Sequence, residues 1–311
     1  MVLAIVLGGT GFIGGEAINT LAGLGYETLV VPAPRLTWDA PSLNCGAGEV
    51  ARVVEGWDLA RLLKGADVVI NAAGIPGTGP TPEALYGANS LLPFVVAHAC
   101  EDAGVRRFIH VSSAAVQGRR SLDESDTFSP TSRYASSKCL AEQLLLRNRL
   151  TTTEVVIYRP TSVHGPGRAV TQRVRKLASS GFSMCAAPGS DPTPQVHIRN
   201  VGAACAYLAS PTVSPPPIVL HPWEGWTTRA FLLSLSQREP RLIPRSLASG
   251  GSRVGSFASR PSSSLSFQAR RLEMLLLGQK QKPGWLDDQG VNWTRRRADW
   301  DGRSDPWTEG G

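Results

Sequence analysis

The stretch "VLGGTGFIGG", residues 6–15, decides how the rest of the chain is read. The apolar run VLAIVL leads into it. Phe12–Leu24 follows, with Ile13, Ala17, Ile18, Leu21 and Leu24 at the spacing of one helix face and Gly25 as its stop. Gly8, Gly11 and Gly14 therefore stand as GxxGxxG between a predicted strand and a predicted helix. Each has its own task in dinucleotide binding. Gly8 lets the chain turn, Gly11 lets backbone N–H groups approach a pyrophosphate, and Gly14 lets the helix pack closely on the strand. The helix N-terminus then favours the phosphate charge. This context makes NAD or NADP the predicted cofactor, with a turn that binds nothing as the lesser alternative.

Outward from this loop, strand and helix signals alternate to residue 160. The predicted strands are ETLVV, the weaker EVARVV, ADVVINAAG, RRFIHVSS and TEVVIYRP. The predicted helices are DLARLLKG, residues 82–103 and residues 132–149. Near-continuous apolar strands alternating with helices imply an α/β fold, a doubly wound parallel sheet of Rossmann type with both faces covered. After Pro160 proline becomes frequent and the alternation fades, so residues 161–311 are expected to form a smaller mixed C-terminal substrate-binding region over the carboxyl edge of the sheet. Residues 240–265, rich in Ser, Gly, Arg and Pro, read as a long flexible loop. The segment FQARRLEMLLLG reads as a helix that rejoins the fold.

At 311 residues the chain can bury a sizeable core. Its apolar start lacks a basic n-region, and Glu16 interrupts it, so a signal peptide is not expected. No stretch approaches the roughly 20 apolar residues of a membrane span. Five scattered cysteines with no CxxC pair read as reduced thiols, and a cytoplasmic protein is expected. Five dispersed histidines show no metal-ligand spacing. The net charge of +7 is concentrated in the second half. No nucleic-acid-binding motif accompanies it. Most of it reads as solvated surface, although arginines between Arg168 and Arg199 suit a phosphorylated small-molecule substrate.

Three features bear on chemistry. The second strand runs into Pro32, Ala33, Pro34 and Arg35, with no acid to hold an adenosine ribose. This favours NADP, with Arg35 reaching a 2′-phosphate; Arg35 as a solvated loop residue is the equal alternative, and NAD stays open. In "RYASSKCLAEQLL", Tyr134 and Lys138 lie one helical turn apart on one face. An ammonium beside a phenol lowers its pKa from about 10 and suits it to exchange a proton with a substrate hydroxyl. Upstream, HVSSAAVQG offers Ser112 and Ser113 at the end of a strand, where ligands gather in open α/β sheets.

GGTGFIG, ADVVINAAG, VSSAAVQG, YASSK and YRPTSVHGPG, in this order over about the first 170 residues, resemble the extended short-chain dehydrogenase/reductase family of NAD(P)-dependent nucleotide-sugar epimerases and dehydratases. The resemblance implies Tyr134 as catalytic acid/base. Lys138 lowers its pKa and binds the nicotinamide ribose, Ser113 orients the substrate, and Asn89 lies beside the site. Asn89 as a solvent-facing helix residue is the alternative. The implied cofactor contacts are Gly8, Thr10, Gly11, Phe12, Ile13 and Gly14, then Ala72, Ala73 and Gly74, with Tyr158 and Pro160 lining the nicotinamide pocket. His164–Gly167 would contact substrate. The segment before DLARLL is short for the family, leaving Asp58 as the candidate adenine-contacting acid. Gln117 stands where sugar epimerases often carry a tyrosine. The resemblance further implies a homodimer through helices 82–103 and 132–149, covering Leu91, Leu92 and Leu145; the alternative places these leucines in the core of one chain.

The expected function is an NAD(P)-dependent oxidoreductase or epimerase that transfers a hydride at a secondary alcohol carbon, foremost of a nucleotide sugar. Ala114 and Ala115 occupy the place of the Asp-Glu pair of 4,6-dehydratases, so elimination is not expected. The alternatives are an NADP-dependent ketone or aldehyde reductase on a steroid- or flavonol-like substrate and, less expected, an NADP-sensing regulator. Retention of both Tyr134 and Lys138 argues against the regulator.

Overall fold

The computed structural model describes residues 2–39, 41–44, 58–77, 81–258 and 263–291, with backbone alone at 253–258 and 263–267. The predicted strand EVARVV and Cys45 lie outside the described residues. Six strands form one parallel sheet: β1 (Leu3–Leu7), β2 (Glu27–Val31), β3 (Val68–Asn71), β4 (Arg107–Val111), β5 (Glu154–Arg159) and β9 (Ile218–Leu220), ordered β2-β1-β3-β4-β5-β9. All five pairings are parallel. Two further parallel pairs lie outside the sheet: β6 (Ser162–His164) with β8 (Gln195–His197), and β7 (Met184–Ala186) with β10 (Arg241–Ile243).

The period-2 alternation of each strand feeds two apolar layers. Ile5, Leu7, Val69 and Phe108 face α2 (Leu59–Leu63), α4 (Leu92–Ala103) and α5 (Arg133–Arg147). Ala4, Val6, Ile70 and Ile109 face α1 (Phe12–Gly23) and α7 (Ile198–Ala209). Helices on both faces make this the expected doubly wound, Rossmann-like sheet.

The expected long helix 82–103 contains an interruption. A first turn and a half, α3 (Pro82–Tyr86), passes through a π-helical turn at Gly87–Leu91 before α4 begins. The leucines assigned to a dimer interface are corrected here. Leu91, Leu92 and Leu145 are buried within one chain in the layer under α4 and α5, so they offer nothing to a partner.

The sheet does not end at residue 160, because β9 extends it beside β5. The two halves are also pinned by Arg107, which is buried at the start of β4. It donates to the Leu208, Ser210 and Val213 carbonyls at 2.6–2.8 Å and pairs with Glu154 at 2.6 Å. A third apolar cluster, including Cys185, Trp226, Phe231 and Leu275, joins α6 (Ala169–Ser179), α8 (Thr228–Ser236) and α10 (Ser263–Leu277) over the carboxyl edge.

The long loop predicted at 240–265 is corrected. Among the described residues this stretch holds β10, α9 (Arg245–Ala258) and the start of α10. Its Ser- and Gly-rich composition gives weak helix propensity, and tertiary anchoring overrides it. Ala248 is buried, and Arg245 pairs with Asp191 at 2.6 Å.

Candidate active site

β4 delivers Ser112 and Ser113 to the carboxyl edge of the sheet, and the two hydroxyls take different partners. Ser112 donates to the Glu142 carboxylate. Ser113 caps the short turn Ala114–Gln117, accepting from Ala115 N–H at 3.2 Å, and lines the same cavity as Tyr134. Tyr134 stands in the first turn of α5, whose N-cap Ser132 accepts from Ala135 N–H at 3.2 Å. Burial raises the phenol's pKa above 10; the Ser113 hydroxyl, then Arg271 and Arg168, act in the opposite direction.

Lys138, one turn further along α5, is buried and donates from Nζ to the Val111 carbonyl at 2.9 Å. Burial lowers its pKa to about 8, against the upward pull of Glu142 one more turn along. Glu142 is itself fully buried and pairs with Arg159 at 2.5 Å, so the site rests on a closed ion pair. Arg271 and Arg168 also act on the phenol, two cations that the sequence did not place beside it.

Asn89 lies in the π-helical turn. Its Oδ1 accepts from Ile75 N–H at 2.8 Å, and its Nδ2 donates to the Ile75 carbonyl at 3.0 Å and to Ser137 Oγ at 3.1 Å. It is buried, not solvent-facing, and ties the strand-end loop after Ala72, Ala73 and Gly74 to the helix carrying Tyr134 and Lys138.

The glycine loop meets the requirements of a dinucleotide. A Cβ on Gly14 would lie 2.2 Å from the Gly8 carbonyl oxygen, and one on Gly8, at φ +77°, would lie 2.5 Å from Ala73 N. The N-terminus of α1 has no side-chain cap and no acid in its first turn, which leaves its N–H donors for a phosphate. Thr10 and Gly11 are exposed there, while Phe12 and Ile13 are half-buried.

Other assigned residues sit elsewhere. Tyr158 does not line the nicotinamide pocket. It is fully buried in β5, with its hydroxyl 2.7 Å from His221 Nδ1, because its alternation in the strand points it into the α1–α7 layer. Pro160, two residues on, does line the cavity beside Ser113 and Tyr134. Asp58 caps α2, accepting from Arg61 N–H at 3.0 Å, which accounts for it without adenine. Arg35 is exposed beyond β2. His164 is buried and bonded to Gln195 at 2.8 Å. Gln117 exchanges two hydrogen bonds with Asp123 at 2.8 and 2.9 Å.

The cavity at Tyr134, about 120 Å³, is also lined by Arg168, Arg270 and Arg271. The sequence reading took Arg168 only as part of a basic run and Arg271 only as part of a helix. The one signal for Arg168 is its place directly after the HGPG turn. Glu142 gave no signal beyond lying one turn past Lys138.

The profile of the NAD dependent epimerase/dehydratase family matches residues 4–208, and the chain belongs to that family. It is 31% identical to a UDP-glucose 4-epimerase of Vibrio cholerae over 58% of each chain. It is 29% identical to the human sterol-4-alpha-carboxylate 3-dehydrogenase, decarboxylating, over 52% of this chain and 44% of that one. The chain thus spans about half the length of the curated relatives it matches. Among solved structures it is similar to MoeE5 in complex with UDP-glucuronic acid and NAD, with a TM-score of 0.57, 24% identity and coverage of 78% and 84%. It is also similar to gox2253, with a TM-score of 0.67, 19% identity and 96% coverage of both chains. Among the described residues no helix is long and apolar enough to cross a membrane, and no cluster of three or more potential metal ligands occurs.

Proposed function

We propose that this protein is an NAD(P)-dependent oxidoreductase or epimerase acting at a secondary alcohol carbon, with Tyr134 as acid/base. The observation that carries the reading is the meeting of Ser113 and Tyr134 in the wall of one cavity, one helical turn from a buried Lys138. Ser113 and Tyr134 hold the substrate oxygen between two hydroxyls, and Tyr134 moves its proton. Lys138 and Asn89 shape the floor on the cofactor side, and the glycine loop with the start of α1 holds the pyrophosphate. When bound, the nicotinamide supplies hydride chemistry to the carbon beside Tyr134.

A nucleotide sugar is the first substrate class, in keeping with the epimerase relative. A ketone or aldehyde outside the sugars, steroid- or flavonol-like, is the second. The sterol-carboxylate dehydrogenase relative supports it, and so does a cavity wall that includes Ile13, Leu122, Val163 and Met274. Residues 161–311 serve as the substrate-binding region, Arg35 selects for NADP, and the free thiols of Cys100, Cys139, Cys185 and Cys205 suit a cytoplasmic location. The test is to supply UDP-glucose or UDP-glucuronic acid with NAD, and small ketones with NADH or NADPH, following absorbance and product chromatography. Hydride transfer with either class supports the reading. Measured cofactor binding without transfer across both classes would leave a sensor and contradict it.

A further inference from the structure

The cavity beside Tyr134 has an unusual charge balance. Three arginines line it, and no Asp or Glu does so among the described residues. Arg270 is answered locally: it pairs with Glu273 at 3.4 Å and donates to Gly118 O at 3.0 Å and to Gln279 Oε1 at 2.7 Å. Arg168 is not answered in this way. Its guanidinium lies 4.7 Å from the Phe12 ring centroid, and its Nη1 is buried with no hydrogen-bond partner among the described residues. A buried, unmet charged donor costs free energy that an incoming acceptor returns. Arg168 also opens α6, which has no side-chain cap and no acid in its first turn, so the local field favours an anion from two directions.

The position of these cations narrows the anion. Arg271 and Arg168 share with Tyr134 the wall of one cavity of about 120 Å³, and both act electrostatically on its phenol. An anion received between them therefore lies close to the reacting carbon. The diphosphate of a nucleotide sugar is separated from the sugar's reacting carbons by much of the ring, whereas a carboxylate can sit one or two bonds from a carbinol. A planar guanidinium also matches the two oxygens of a carboxylate.

We propose that this cavity is a carboxylate subsite, in which Arg168, with Arg271 beside it, receives an acid group borne near the reacting carbon of the substrate. The substrate is then a hydroxy or oxo acid, carried either on a sugar as a uronic acid or on a non-sugar skeleton. This inference rests on the oxidoreductase reading of the same site and narrows its substrate.

The test uses the full chain saturated with whichever of NAD or NADP it binds. Cofactor affinity is measured first for wild type, Arg168→Gln and Arg271→Gln, so that failure to bind cofactor, which overturns the oxidoreductase reading, is seen separately. Malonate, neutral dimethyl malonate and inorganic phosphate are then titrated by calorimetry. The expected result is binding of malonate, at least tenfold tighter than either of the others, with a tenfold or greater loss in both variants. Equal binding of malonate and its ester, no binding of malonate, tighter binding of phosphate, or unchanged malonate affinity in the variants overturns the proposal. Turnover of UDP-glucuronic acid against UDP-glucose, and of a 3-oxo acid against its methyl ester, then separates the two carriers. The acid is preferred in at least one pair, and preference for the neutral compound in both contradicts the subsite.

Discussion

The Lys138 ammonium lies under the active site with its Nζ 2.9 Å from the Val111 carbonyl, the last residue of the strand that delivers Ser113. Burial holds its pKa at about 8, below the ordinary 10.5. The folded protein therefore binds fewer protons than the unfolded chain between these values, and stability rises with pH across that window. Below pH 8 the full penalty of a buried cation is present. A shift of this size corresponds to on the order of 3 kcal/mol. Lys138→Met removes the penalty, so the variant is expected to be more stable than wild type at pH 7 while losing activity. Urea denaturation at pH 7 and pH 10 checks this, with the advantage of the variant shrinking at the higher pH. A variant less stable than wild type at both values contradicts it.

Glu142 and Arg159 give the opposite expectation. Both side chains are fully buried, and the pair is 2.5 Å apart. Arg159→Met strands the Glu142 carboxylate beneath Ser112, and breaking such a pair costs about 3–5 kcal/mol. The midpoint of chemical denaturation reports this loss, and a change under about 1 kcal/mol, the range of exposed pairs, is the contrary result.

Gly14→Ala tests the glycine loop. The new Cβ would lie 2.2 Å from the Gly8 carbonyl oxygen, and that neighbour is backbone that cannot rotate away. Overpacking of this kind costs about 1–3 kcal/mol. If it falls on the cofactor site, affinity drops roughly 5- to 150-fold. Fluorescence titration with NAD and NADP measures it. Unchanged affinity for both would detach the loop from cofactor binding.

Much of this was legible before the structure because it is local. The glycine spacing, the strand alternation and the Tyr134–Lys138 spacing each follow from one short stretch. Ser113 was distinguishable from Ser112 only by resemblance, and the structure supplies the physical reason: Ser112 is held by Glu142, from a helix thirty residues on. What stayed hidden depends on contacts distant in sequence. Tyr158 looked like a pocket residue until its side was set by β5 alternation and by His221. Leu145 looked available to a partner because helical periodicity does not say how many faces are covered. The helix at Arg245–Ala258 depends on Asp191 and on burial of Ala248. Arg271 comes to Tyr134 across more than a hundred residues of chain, and nothing in RRLEMLLLG announces that meeting.

The most direct measurement is the turnover of Tyr134→Phe with the substrate found in the screen, alongside its cofactor affinity. The phenylalanine ring keeps the packing and removes only the hydroxyl that carries the proton. Loss of positioned acid–base catalysis costs about 10²- to 10⁴-fold in rate. The account predicts a fall in kcat of that size with the cofactor Kd unchanged. A kcat within a few-fold of wild type would contradict it.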